Sequence, residues 1–280
     1  MHTFILLFQC QDQKGIVAKI SDFIFRHGGN IISADQHTTD PQGGFFFMRS
    51  EFLLEQAQID LTLLEKGLLA IAKEFNAQWQ IYDKEKRLRM GIYVSRPGHC
   101  LAEILYLWKT NELYVDIPFV ASNFAGHKEL VEQYKIPFYF IAACKEDRKE
   151  ADLLKIISAQ TDFLVLARYM LVLSTQFLHS YNKDIINIHH GFLPSFKGAK
   201  PYHQALEEGV KVIGATAHFV SEKLDCGPII SQAVQAVSHK DDLDDLVRKG
   251  KNLEKRALSE AISAYIDYRV IKHNHKTIVF

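Results

Sequence analysis

Three side chains of complementary chemistry, Asn187, His189 and Asp225, stand in the second half of the chain. An amide can donate to a developing oxyanion, an imidazole can donate or carry a proton near neutral pH, and a carboxylate can order both the imidazole and a water. Together they suit attack on a carbonyl carbon. By type alone they decide little, because Asn, His and Asp in loops are most often turn formers or solvated groups. Cys226 adjoins Asp225 but has no basic partner at fixed spacing, so an inert thiol is expected. The 13 histidines show no H-E-x-x-H or comparable spacing, and no metal is expected.

The elements around these residues predict an α/β unit. Apolar segments RMGIYVS, DIPFVAS, PFYFIAA and DFLVLA alternate with helical stretches after Cys100, His127 and Lys145. Near-continuous apolar strands alternating with helices imply a mainly parallel, Rossmann-like sheet covered on both faces, with ligands at the carboxyl ends of its strands. Asn187 and His189 sit at the end of the short strand Ile185 to Ile188, where polar residues crowd. GATAHFV and PIISQAV read as further strands, and DDLDDLVRKGKNLEKRALSEAISAYI as a long helix with an acidic first turn.

The first part of the chain has a different rhythm. TFILLFQC is a strand, and Asp12 to Gly15 supply a turn and a helix cap. A helix follows through Ile16, Val17, Ile20, Phe23 and Ile24, and Gly28-Gly29 stop it. NIISADQHTTD and FFFMRSEFLL flank the turn at residues 41–44 as a hairpin, a second helix runs from about Ala57 to Glu74, and AQWQIYD closes the unit. The order βαββαβ is ferredoxin-like. The charged run DKEKRLR, residues 83–89, reads as a linker, which sets the domains at 1–84 and 85–280.

Composition narrows the partners. Thirty-three Lys and Arg balance 33 Asp and Glu, so no global field recruits nucleic acid or an anionic membrane surface. No apolar run approaches the ~20 residues of a membrane span. The first residues lack the pattern of a signal peptide, and four cysteines without a C-x-x-C pair fit a reducing cytoplasm.

The segment NIHHGFLPSFKGAKPYHQALEEGVKVIGATAHFVSEKLDCGPII resembles the signature of the folate-dependent formyltransferase family: N-x-H, L-P, a G-x-T-x-H-x-V strand, and L-D-x-G-P. Thirty-six positions separate His189 from Asp225, as in that pattern. The resemblance implies that Asn187, His189 and Asp225 are catalytic and that His218 and His190 support them. It also implies that the backbone of Met170, Leu171, Val172 and Leu173, in LARYMLVLS, binds the pterin of a folate. DQKGIVAKIS and HGGNI resemble an ACT domain, and the combined arrangement resembles the deformylase branch of the family. SRPGHC stands where the branch that formylates glycinamide ribonucleotide has a glycine-rich phosphate loop, and His190 stands where that branch usually has Pro. Gly191 replaces a usual Ser.

What the resemblance implies is hydrolysis of 10-formyltetrahydrofolate to formate and tetrahydrofolate, with the folate as substrate and no separate cofactor. Formyl transfer to an amine acceptor and a catalytically inactive amino-acid sensor are the rival expectations. The ACT resemblance implies a homo-oligomer and an amino-acid effector, glycine or methionine, near Asp12, Gly15, Gly28, Asn30 and Ile31.

Overall fold

The computed structural model describes residues 2–40, 42–55, 61–157, 160–195 and 201–280. The chain packs as two units: Met1–Arg87 with Asp267–Ile271 and Ile278–Phe280, and Leu88–Ile266 with Lys272–Thr277. The division falls three residues beyond the expected boundary, and part of the closing segment belongs to the first unit. The reason is a second apolar face on that unit's sheet.

The first unit runs β1 (His2–Gln11), α1 (Ile16–Arg26), β2 (Asn30–Thr38), β3 (Phe45–Leu54), α2 (Leu61–Phe75) and β4 (Gln78–Asp83). Its antiparallel sheet has the order β2-β3-β1-β4. Alternation along β1 sends Phe4, Leu6 and Phe8 toward Ile16, Ile20, Ile24, Leu64 and Leu68 of the helices. Ile5 and Leu7 point the other way with Phe47, and Ile271, Tyr268, Ile278 and Phe280 cover them. Each large apolar side chain so buried contributes about 1.5–3 kcal/mol, which is why β1 is apolar on both faces. Gly28, at φ 73°, follows the end of α1 as expected. Asp12 does not cap the helix: Gly15, at φ 93°, occupies that position with no side-chain bond, and Asp12 instead donates its backbone N–H to the Gly44 carbonyl. The expected first residues of the second helix, 57–60, lie outside the described residues.

The second unit contains β5 (Met90–Val94), α3 (His99–Lys109), β6 (Val120–Ser122), α4 (Lys128–Gln133), β7 (Phe138–Phe140), α5 (Glu150–Ile157) and β8 (Phe163–Leu166). It continues with α6 (Thr175–Tyr181), β9 (Ile185–His189), α7 (Pro201–Glu207), β10 (Val212–Phe219), β11 (Ile229–Ala236) and α8 (Leu243–Ile266). Val270–His273 and Lys276–Val279 form a closing strand pair, β12 and β13. The seven-stranded sheet has the order β11-β10-β9-β8-β5-β6-β7, parallel from β9 to β7 and antiparallel at β10 and β11. Connections leave β5 in opposite directions, so a crevice opens at the carboxyl ends of β5 and β8. The residues after β5, β8 and β9 meet there.

Candidate active site

Period-two alternation puts Asn187 and His189 on one face of β9, and the antiparallel register of β10 sets His218 opposite Asn187 and Thr216 opposite His189. His218 Nδ1 donates to the Phe219 carbonyl at 2.9 Å, so the neutral ring can only accept at Nε2. Asn187 Nδ2 donates to that nitrogen at 3.2 Å. The tautomer therefore dictates which way the amide faces, and it leaves the second amide hydrogen for a ligand. Burial holds His218 below the ordinary histidine range, outweighing its bond to Phe219 and the nearby Asp225. Thr216 works one rung away: its Oγ1 donates to the Gly191 carbonyl at 2.9 Å and accepts from Leu193 N at 3.1 Å and Gln232 Nε2 at 3.0 Å. That pins the turn after His190.

Asp225 arrives on the loop between β10 and β11. A Cβ at Gly227 would stand 1.7 Å from the Phe219 oxygen, so only glycine lets this loop lie against the end of β10. The close approach brings Asp225 Oδ2 to 3.3 Å from His189 Nδ1 and Oδ1 to 3.7 Å from His218 Nε2. Asp225 itself has φ 52°, a left-handed conformation that Asp and Asn tolerate best among residues with a side chain. The G-P of the L-D-x-G-P motif thus has a mechanical reason. Phe219 N donates to the Pro228 carbonyl at 2.9 Å, closing the same turn.

Asn187, His189, His218 and Asp225 line a cavity of about 1020 Å³ whose other wall is the 168–173 loop. Ser95 fixes one end of that loop, donating its N–H to the Arg168 carbonyl and accepting from Met170 N at 3.0 Å on Oγ. Glu150 fixes the other end, accepting from Ser174 N at 2.7 Å and from the Ser174 hydroxyl. Met170, Leu171, Val172 and Leu173 all line the cavity between these anchors, with Met170 and Val172 half-exposed. An apolar wall of this kind with a few convergent polar groups suits a flat, heteroaromatic ligand.

Beyond His190 lies a polar cluster that sequence reasoning missed. Glu254, 1% exposed on α8, accepts from His99 Nε2 at 2.8 Å and from the Tyr202 hydroxyl at 2.7 Å, and its Oε2 lies 3.2 Å from Arg168 Nε. These partners hold its carboxyl below the usual range against the desolvation that raises it. The His190 ring lies 6.1 Å from Tyr202 and 5.4 Å from His189. Desolvation first, then the Arg168 charge, pushes His190 down to about 3, so it is neutral near pH 7. His99, Cys100 and Glu254 place three donor-capable atoms within 4.8 Å of one another. The carboxylate already has Arg168 and His99 as counter-charge and donor, and burial pushes the Cys100 thiol up, away from the thiolate a metal prefers.

The formyl transferase family profile matches residues 88–262 and the ACT domain profile residues 4–64. A formyltetrahydrofolate deformylase of Synechocystis is 42% identical over 281 residues, covering 99% of this chain and 98% of the relative. That of Bacillus subtilis is 42% identical over 280 residues, covering 98% and 93%. The crystal structure of a formyltetrahydrofolate deformylase from Pseudomonas syringae superposes with TM-score 0.95 at 43% identity, over 100% of this chain and 95% of that one. The chain belongs to the formyltetrahydrofolate deformylase family. A glycinamide ribonucleotide transformylase from Symbiobacterium toebii shares the larger unit, with TM-score 0.66 at 30% identity over 71% of this chain and 97% of that one.

Within this deformylase-family chain, Cys226 forms no disulfide and is not among the residues lining the cavity, unlike its neighbour Asp225. The residues read from the ACT resemblance do not form one cluster. Asp12 and Gly15 line a cavity of about 460 Å³ with Gln36, His37 and Thr38. Gly28, Asn30 and Ile31 lie past the other end of α1, where Asn30 and Ile31 pair with Leu53 and Phe52. Among the described residues no helix is long and apolar enough to cross a membrane.

Proposed function

We propose that the 1020 Å³ cavity binds 10-formyltetrahydrofolate and that Asn187, His189 and Asp225 hydrolyse it to formate and tetrahydrofolate. The observation that carries this reading is the convergence of the Asn187 amide, the His189 and His218 imidazoles and one carboxylate at the end of an apolar cleft. Asn187 and His189 hold the formyl oxygen as it becomes an oxyanion. Asp225, with His189, orients the water and takes its proton as the water oxygen bonds to the formyl carbon. The carbon–nitrogen bond then breaks, the nitrogen of the folate receives that proton, and formate leaves. The pterin rests on the backbone of Met170 through Leu173. Folate is the substrate, the chemistry needs no further cofactor, and the formate feeds purine synthesis and balances one-carbon pools.

The test is incubation of the pure protein with 10-formyltetrahydrofolate alone. Formate release without an acceptor supports hydrolysis. Turnover only when an amine is supplied would establish formyl transfer, and no turnover with intact folate binding would leave an amino-acid sensor.

The ACT unit is proposed to pair with a second copy and to take a small amino acid, glycine or methionine, at the cavity beside Asp12 and Gly15, in a cytoplasmic enzyme. An effector acts only through different affinity for two states, and a coupling of about 1–3 kcal/mol changes the rate roughly fivefold or more. Titration of each amino acid against formate release, repeated with Asp12→Ala, decides it. A flat rate for both amino acids removes the sensor role.

A further inference from the structure

The Glu254 cluster takes no part in the steps above, yet it is built with care. Its four members come from four places: His99 from the start of α3, Arg168 from the loop after β8, Tyr202 from α7 and Glu254 from α8. One turn before Glu254, a Cβ at Gly250 would stand 2.1 Å from the Tyr202 hydroxyl. A glycine in the middle of a helix is destabilising relative to alanine. Here it opens a notch that admits the Tyr202 ring flush against α8. The ring is 8% exposed, lines the cavity, and faces His190 at 63°. A buried carboxylate and guanidinium are weak evidence for stability, since apolar packing of the same volume often does as well. Their use is to hold side chains in one arrangement.

That arrangement bears on the choice of nucleophile. The fold is shared with transformylases, so the fold alone does not reserve the formyl group for water. We propose that the Glu254, Tyr202, His99 and Arg168 cluster, with His190 on its inner face, is a specificity-determining wall that closes the cavity beside His189 to amine substrates and leaves room for water. The inference rests on the hydrolytic reading above. Tyr202 supplies the bulk, the Gly250 notch and the Glu254 carboxylate fix its position, and Arg168 and His99 hold the carboxylate. If the wall is opened, an amine nitrogen can attack the formyl carbon, the carbon–nitrogen bond to folate breaks, and the folate nitrogen takes the proton the amine loses.

The experiment measures product partition in the full chain supplied with 10-formyltetrahydrofolate and glycinamide, reading formate against N-formylglycinamide by mass spectrometry. The natural sequence should yield formate almost alone. Tyr202→Ala and His190→Ala should each raise the formylglycinamide fraction about tenfold or more, the size of effect a change in pocket volume produces. Tyr202→Phe, which keeps the ring in the notch but gives up its bond to Glu254, should raise the fraction less than Tyr202→Ala does. A structural role alone would lower both products together and leave their ratio unmoved. An unchanged ratio in folded Tyr202→Ala or, should that variant not fold, in His190→Ala, overturns the proposal. So does a natural protein that formylates glycinamide as readily as it releases formate. A protein that releases no formate under any condition instead defeats the hydrolytic reading.

Discussion

Asn187 Nδ2 and His218 Nε2 face each other at 3.2 Å across the β9–β10 ladder, and the bond from His218 Nδ1 to the Phe219 carbonyl makes Nε2 the acceptor. The backbone thus sets a ring tautomer, the tautomer sets an amide, and the amide points a donor at the cavity. Removing that donor should remove transition-state stabilisation more than binding. Asn187→Ala is expected to lower kcat roughly 10²–10³-fold, the effect of deleting one oxyanion donor, with a much smaller change in KM. Steady-state kinetics with 10-formyltetrahydrofolate check it, and a kcat near the natural value would remove Asn187 from the mechanism.

Asp225→Asn separates chemistry from architecture. The left-handed backbone at φ 52° suits Asn as well as Asp, so the loop should keep its course. An amide cannot take the proton of the attacking water or share one with His189. Hydrolysis should fall to a small residue while circular dichroism and folate binding stay unchanged. Substantial turnover in such a protein would assign the proton transfer elsewhere. Cys226→Ala, one residue on, should keep most of the activity.

How much of this was legible in the sequence depends on whether the controlling contacts are local. The alternation Phe4, Leu6, Phe8 and the helical spacing Ile16, Ile20, Ile24 are local, and they place the βαββαβ order directly. The crevice follows from strand and helix alternation, whereas Asn187, His189 and Asp225 are marked out only by the resemblance of the segment around them to the formyltransferase signature. Glu254 was hidden because a charged residue in a long charged helix reads as solvated, and only its distant partners His99, Arg168 and Tyr202 reveal it. Ser95 and Thr216 were hidden likewise, as small hydroxyls whose partners lie across the sheet or in another loop. The return of Ile271 and Ile278 to the first unit could not be read either. An apolar β1 says that both faces are covered, not by which residues. Asp12 was misplaced as a cap because a short polar run offers several candidates, and Gly15 took the position through its φ.

The pH dependence of stability should carry the mark of His190. Its pKa is pushed down to about 3 in the folded chain by desolvation and Arg168, against an ordinary value of 6.5. Between those values the unfolded chain binds a proton that the folded chain does not. Stability from this group is therefore fully present above about pH 6.5 and is lost as the pH falls toward 3. His218, also lowered, acts in the same direction. Urea midpoints at about pH 7.5 and 5.5, a window above most carboxylate titration, should converge in His190→Gln relative to the natural protein. An equal drop in both proteins would mean that His190 titrates normally.

Gly227 offers the sharpest structural test of the site, because the argument for it is steric and its consequence is catalytic. A methyl group there would meet the Phe219 oxygen at 1.7 Å and its carbonyl carbon at 2.8 Å, so backbone must move. The Phe219 carbonyl accepts from His218 Nδ1, and Asp225 lies two residues upstream, so the shift disturbs both partners of the constellation. Gly227→Ala should destabilise the protein by about 1–3 kcal/mol, the usual range for overpacking. At roughly 2–4 °C per kcal/mol for a unit of this size, a Tm lower by several degrees is expected. Hydrolysis should be lost even well below that Tm, where the chain is folded. Gly209→Ala is the matching control: its φ is 62°, yet nothing lies within 4 Å of the added carbon. It should cost some stability through backbone strain and leave the activity in place. If Gly227→Ala keeps its activity as Gly209→Ala does, the loop does not position Asp225 by this contact, and the steric account of the L-D-x-G-P motif is wrong.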